Sequence, residues 1–310
     1  MTDRRRLNGP AGTTSPPVFA PSNSTKDLRQ TRQRKPNELR KIFLQTGVIP
    51  SATGSAYLEL ECPPRPKAAI LNTSSTIKLS CSVHGPKPLP RTASFSPNLQ
   101  LSASVKFAPF ATRVRQGYIR DSTERDISMH LETALKGVII PDRWPKSAID
   151  IAVTVLEGED DQCDGDRFSG IGLFNVLAGC INVAMAALAD ARVDCLDVLA
   201  AGVGALVPGK EKPRMLLDPA CTEHEEVQAS CLVGYLPSRD EVVEVWSNGS
   251  VQTVGGNGGI GVGELVDSAV AAARGAQTVI KEVLIDAMAR TEVHGKKMPH
   301  DGTNDVEMMT

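Results

Sequence analysis

Net charge is nearly absent from this 310-residue chain, in which 34 basic side chains face 36 acidic ones for a total of −2. That balance excludes a protein that is basic throughout, as many nucleic-acid binders are, and an acidic disordered one. Paired cysteine motifs are missing too. Cys62, Cys81, Cys163, Cys180, Cys195, Cys221 and Cys231 are odd in number and widely spaced, with no C-x-x-C among them. A disulfide framework or zinc ribbon needs regular pairs. Cysteines set in apolar stretches act as small hydrophobes and point to a reducing compartment. No apolar run reads as long enough to cross a membrane. The early arginines precede no apolar block of a secretory signal, and Pro10, Pro16, Pro17 and Pro21 oppose an amphipathic transit helix.

What is present is unevenly placed. Residues 1–46 hold ten Lys and Arg against three Asp and Glu, a net of +7, which leaves −9 on the remainder. Residues 1–36 are rich in Pro, Ser, Thr and Arg without hydrophobic period and read as a disordered basic arm. The polar stretch 291–310 reads as a flexible tail. Between them, 41% hydrophobic composition overall suffices for a core.

The patterning of 37–290 is mixed. Alternation predicts strands at Ala56–Cys62, Ile77–Val83, Leu99–Phe107 and Ile149–Val155, and later at about Leu196–Leu206, Gln228–Tyr235 and Glu241–Trp246. Helical spacing marks Thr123–Val138, with Thr123 and Asp126 in capping-box positions. The Ala- and Gly-rich Val176–Ala191 suits a buried helix, and Glu264–Arg290 an amphipathic one. The order is strands, helix, strand, helix, strands, helix. It predicts an α/β fold of two similar β-then-α halves rather than regular βα alternation.

Several motifs imitate known chemistry. Gly256–Gly261 satisfies G-x-G-x-x-G, but the helix after it leads to no further strand, as a dinucleotide site requires. Gly204–Lys210 resembles a phosphate loop, yet Glu211 replaces the magnesium-binding hydroxyl and Pro208 removes an N–H. Cys221, His224 and Cys231 lack a fourth local metal ligand. Glu157, Glu159, Asp160, Asp161, Asp164 and Asp166 read as a solvated acidic loop, and His84 and His130 fit no triad. The residues by themselves define no catalytic constellation, no metal site and no cofactor site.

Six stretches, taken in order, carry a resemblance. They are Arg40–Gly47 with Ala52–Glu59, Val83-His84-Gly85-Pro86, Val105–Ala111, Trp144–Ile151, Asn182–Ala191 and Leu216-Leu217-Asp218-Pro219. Their order and spacing over roughly 37–290 resemble the RNase PH family of phosphorolytic ribonucleases and its descendants in the RNA exosome. The resemblance implies paired β-α halves with left-handed βαβ crossovers, an exception to the usual hand. It implies that active members hold phosphate with an arginine-bearing turn at the start of the buried helix and use two aspartates near the last strands. Aligned this way, Leu177 takes the arginine's place, Asp218 matches the first acid and His224 the second. Losing that cation costs on the order of a hundredfold in rate, so the expectation is a catalytically silent member.

The same resemblance implies a structural role in a hexameric ring of RNase PH-like subunits that carries RNA-binding cap proteins. Active phosphorolysis through Asp218 and His224 is the alternative. The implied partners are other ring subunits, cap subunits and RNA, without a membrane. The implied locations are nucleus, nucleolus and cytoplasm. Lys87 and Arg91 after the Gly85-Pro86 strand end, and Arg113, Arg115, Arg120 and Arg125 further on, are candidate RNA contacts. With only Tyr118 nearby for stacking, such contact would be independent of base sequence. Arg32, Arg34 and Lys35 of the arm are further candidates for RNA or for nuclear import.

Overall fold

Strands whose inner faces alternate with polar residues need only one covered side, and the first five supply it. The computed structural model describes residues 32–61, 75–90, 95–112, 115–159, 170–209, 213–221, 223–224, 227–249 and 261–295. In it β1 (Ile42–Thr46), β2 (Gly54–Glu61), β3 (Ser75–Pro88), β4 (Gln100–Phe107) and β5 (Ser147–Glu157) form a sheet in the order β1-β2-β3-β5-β4. All neighbours are antiparallel except β4 and β5. That parallel pair needs a crossover, which α1 (Ser122–Lys136) provides. Leu58, Leu79, Val105 and Ile151 represent the buried face, whereas Ser80, Ser82 and Ser104 lie on the other.

The start of α1 corrects the expected cap. Asp121, not Thr123, is the N-cap, and Glu124, not Asp126, closes the box. The Asp121 side chain accepts from Ser122 N at 2.8 Å, and Glu124 Oε2 accepts from Asp121 N at 3.1 Å. Glu124 also accepts from Phe107 N and Lys106 Nζ, both at 2.9 Å, so one carboxylate fixes helix, strand end and loop.

After β5 the chain enters α2 (Ile171–Asp190), then β6 (Ala200–Val207), β7 (Arg214–Leu217), β8 (Ala229–Leu236) and β9 (Glu241–Gly249). These strands form a second, antiparallel sheet in the order β7-β6-β8-β9. The final helix, α3 (Val262–Gly295), extends beyond the expected Arg290 into the stretch read as a tail. The layers run sheet, α1 with α2, sheet, α3. Leu232 and Leu236 of β8 face the α2 core, and Val233 and Tyr235 face α3. The two-sided apolar character of that strand is thus satisfied within one chain.

Between two sheets α2 has no solvent face, and residues Ile171–Leu188 are all buried. By length and composition it is apolar enough to span a membrane, contrary to the sequence reading, but its apolar window lies wholly inside the protein. Gly204–Val207 of the imitation phosphate loop, dismissed on sequence, belongs to strand β6. Residues 256–260 of the glycine-rich motif lie outside the described residues. Cys81, Cys180, Cys195, Cys221 and Cys231 are free thiols. Burial pushes the Cys81 and Cys180 thiols upward, which keeps them protonated and unreactive.

Candidate functional site

The motifs that carried the resemblance converge in space. Gly54 of β2 sits so close to the end of α2 that a Cβ there would lie 2.3 Å from Ala191 N and 2.4 Å from Ala187 O. Its neighbour Ser55 donates its N–H to Asp190 Oδ2 at 2.9 Å. Thr53 N reaches Val83 O at 2.9 Å, and Gly85 N reaches Thr53 Oγ1 at 3.2 Å. Stretches more than a hundred residues apart thereby lock the first sheet onto the buried helix.

At the other end of α2 lies a charged cluster. Arg40, just before β1, is buried and forks onto Asp218, with Nε to Oδ2 at 3.0 Å and Nη2 to Oδ1 at 2.6 Å. Its backbone N–H adds a third bond to Asp218 Oδ2 at 2.9 Å, and Nη1 donates to Glu159 Oε1. Glu159 Oε2 accepts from Asn175 Nδ2 at 2.6 Å and from the Cys221 thiol at 3.2 Å. Asn175 Nδ2 also reaches Pro219 O at 2.8 Å, which ties α2 to the segment after β7. Arg32 Nη1 and Arg34 Nη2 share the buried carboxylate of Glu223 at 3.2 and 2.8 Å. Arg34 Nη1 also lies 3.5 Å from Asp218 Oδ2. Three guanidiniums thus meet three carboxylates in one closed network, the arrangement in which buried charge is tolerable.

The electrostatics follow. Burial pulls the Asp218 carboxyl upward, but Arg40, with Arg34 behind it, outweighs burial and holds it at about 2. Burial also opposes the Arg40 charge, yet Asp218 and Glu159 drive its guanidinium well above the ordinary value. His224 is lowered, first by burial and then, against the pull of Glu223, by Arg32 and Arg34. It is therefore neutral at pH 7, with a buried Nε2 that has no hydrogen-bond partner among the described residues.

The structure rearranges the residues singled out by sequence. Arg34 reaches both Asp218 and Glu223, the neighbour of His224 in sequence, but Asp218 is engaged on both oxygens by Arg40. Leu177 does not join them. The segment 175–178 is the second turn of α2 rather than a turn before it, and Leu177 is completely buried in the core. Its backbone N–H groups are spent within the helix, so nothing there is free to cradle an anion. Glu159 is no part of a solvated loop, whereas Asp160, Asp161, Asp164 and Asp166 lie outside the described residues. Arg32 and Arg34 belong to the folded body, which begins before residue 37. Pro36 O even accepts from Leu217 N at 2.9 Å along the free edge of β7.

Glu159, Glu223, Asn175 and Arg40 were not anticipated as a set, since their partners lie up to 191 residues apart. Cys231 packs in the apolar cluster between β8 and α3. His130 Nδ1 contacts Glu244 Oε1 at 2.6 Å, and its ring stacks on Trp246 at 4.3 Å. Among the candidate RNA contacts, Lys87 pairs with Asp150, Arg115 and Arg120 are exposed, and Arg91 and Arg113 lie outside the described residues.

Two sheets close around a helix buried over Ile171–Leu188, with a charged cluster at its start, which makes this a layered α/β body. The family model for the 3′ exoribonuclease family, domain 1 (RNase PH), matches residues 38–194, and the chain belongs to this family. The exosome complex component MTR3 of Chaetomium thermophilum is 47% identical over 294 residues, covering 93% of this chain and 100% of that protein. The exosome complex component mtr3 of Schizosaccharomyces pombe is 29% identical over 250 residues, covering 81% and 85% respectively. The crystal structure of rice Rrp46 shares the fold with a TM-score of 0.60 at 16% identity, covering 81% of this chain and 98% of that one.

Proposed function

We propose that this chain is a structural subunit of an RNA exosome core, assembled in a ring with other RNase PH-like chains and without catalysis of its own. The exosome role is supported by the relative from Chaetomium thermophilum, which is matched along its whole length. The reading of silence is carried by one observation: Arg40 occupies Asp218 on both oxygens while α2 continues through 175–178. Phosphorolysis needs a cationic pocket for inorganic phosphate and an acid free to move a proton. Here the acid is locked, the histidine is neutral and the cations are spent on this chain's own carboxylates.

In that role the subunit would help hold RNA-binding cap proteins over the ring while a nuclease elsewhere on the particle cuts. Arg115 and Arg120 are exposed cations of the kind that phosphate contacts use. A nuclear, nucleolar and cytoplasmic distribution follows from the role alone. The test is to incubate the purified chain, alone and assembled with RNase PH-like partners, with RNA and inorganic phosphate. No nucleoside diphosphate above background is expected from this subunit. Release that disappears in the Asp218→Asn variant, with assembly intact, would sink the silent reading in favour of an active phosphorolytic exoribonuclease.

A further inference from the structure

One buried acceptor at the start of α2 is not met by the chain around it. Asn175 is 1% exposed. Its Nδ2 donates to Glu159 Oε2 at 2.6 Å and to Pro219 O at 2.8 Å. Those two bonds fix the carboxamide and turn Oδ1 away from both partners. Oδ1 itself has no hydrogen-bond partner among the described residues. A buried carboxamide oxygen in that position has lost its hydration with nothing in return. Asn182, two turns on along the same face of α2, is the contrast, because its oxygen accepts from Ala201 N at 2.8 Å.

Asn175 also borders a cavity of about 30 Å³ where the first sheet, α2, β6 and α3 meet. Small side chains make this space. Between Asn175 and Asn182 the lining face of α2 carries only Ala178 and Gly179, while β6 contributes Gly202 and α3 contributes Ala272 and Ala276. Asp218 is the only charged residue among the described ones that line it. Arg40 gives Asp218 Oδ2 two bonds, from N and Nε, but gives Oδ1 only one, from Nη2 at 2.6 Å. A carboxylate oxygen has two lone pairs, so Oδ1 retains acceptor capacity. Two oxygens able to accept thus border one small space.

We propose that this cavity is a binding site for one water molecule, which donates one hydrogen to Asn175 Oδ1 and the other to Asp218 Oδ1. A space of this size accepts about one water, and a held water needs at least two polar partners. Other occupants fit less well. A cation would find two oxygens beside the buried Arg40 guanidinium, which repels it. No group of three or more His, Cys, Asp or Glu able to hold a metal occurs among the described residues. A small apolar guest would suit Leu58 and Ile42 but leave Asn175 Oδ1 unpaired. The water gives α2 a second link to the Arg40–Asp218 pair, besides the one through Glu159. The site needs no partner chain and is independent of the ring reading.

Crystals of the full chain, analysed before and after pressurisation with xenon, test the proposal. The first should show one density peak within hydrogen-bonding distance of both Asn175 Oδ1 and Asp218 Oδ1, and the second should show no xenon there. Xenon in the cavity would mark it as a dry apolar void and overturn the proposal. So would a cavity without density in a crystal that resolves internal waters elsewhere. A peak that gains anomalous signal after soaking in rubidium chloride would overturn it in favour of a cation. In solution, oxygen-17 relaxation dispersion counts long-lived waters. Asn175→Leu should lose one relative to wild type with an unchanged circular dichroism spectrum, and an unchanged count in the folded variant would also overturn the site. Should the variant fail to fold, because it also gives up the Nδ2 bonds, the wild-type crystals decide alone.

Discussion

The two long helices bury themselves by opposite means. The 20-residue α2 lies between two sheets and fills space on every side with Leu, Ile, Val and Ala. The 34-residue α3 rests on one sheet, and its seat is made by subtraction. At Gly202 of β6 an added Cβ would lie 2.2 Å from Ala273 N and 2.6 Å from Ala269 O. The α3 residues facing this contact are Ala269, Ala272 and Ala273, so helix and strand meet almost backbone to backbone. Apart from the close approach of Gly54 at its end, α2 depends on volume present, whereas α3 depends on volume absent at Gly202, and the two respond differently to substitution.

The largest effect should come from filling the seat. Gly202→Val drives side-chain atoms into the α3 backbone, which cannot yield as a flexible side chain would. The expected loss exceeds about 4 kcal/mol and shows as failure to fold in urea titration or size-exclusion chromatography. Next is the charged cluster at the start of α2. Arg40→Ala leaves Asp218 and Glu159 buried without their principal cation and should cost about 3–5 kcal/mol in chemical denaturation. Emptying space within α2 costs somewhat less, and Leu177→Ala should lose about 3 kcal/mol in the same assay.

A titration sharpens the picture without mutation. The Asp218 carboxyl is held at about 2 in the fold against 3.8 for an ordinary aspartate. Its contribution is therefore complete above about pH 5 and is lost as pH falls through about 2, a difference of about 2 kcal/mol. Stability measured from pH 5 to pH 2 should decline with that profile, and the decline should be shallower in Asp218→Asn. The smallest change is expected beyond the seat. Ile285→Ser, on an exposed part of α3, should alter stability by no more than about 0.5 kcal/mol.

Periodicity made most of this fold legible. The strand and helix order, the buried helix and the three long β-strands of the first sheet's centre all follow from spacing of apolar residues. What escaped did so for identifiable reasons. Strand β1 buries Leu44 alone among its five residues, so it shows no alternation strong enough to read. Strand β7 has four residues, too few for a period. Asp121 with Glu124 satisfied the capping pattern as well as Thr123 with Asp126 did, and the longer Glu side chain decided between them by reaching back to the N-cap backbone N–H. The charged cluster was only partly readable. Asp218 and His224 stood in recognisable places, but nothing local distinguished Glu159 from the acids beside it. Arg40, which gives Glu159 its role, lies 119 residues earlier. Arg32 and Arg34 looked like part of a solvated basic run because their carboxylate, Glu223, is likewise remote in sequence.

A smaller contact has a wider effect. Strand β6 continues past the reach of β7, whose pairing with it ends at Gly204. There the side chain of Asn182, from inside α2, donates to Ala201 O at 3.1 Å and accepts from Ala201 N at 2.8 Å. Asp218 N takes Val203 O at 2.9 Å. A single carboxamide thus stands in for a missing residue of a neighbouring strand. Exposed β-edges recruit foreign chains because their hydrogen-bonding groups are unmet. Asn182 removes that invitation from within, so this part of the sheet is guarded against misassembly by a residue of the core.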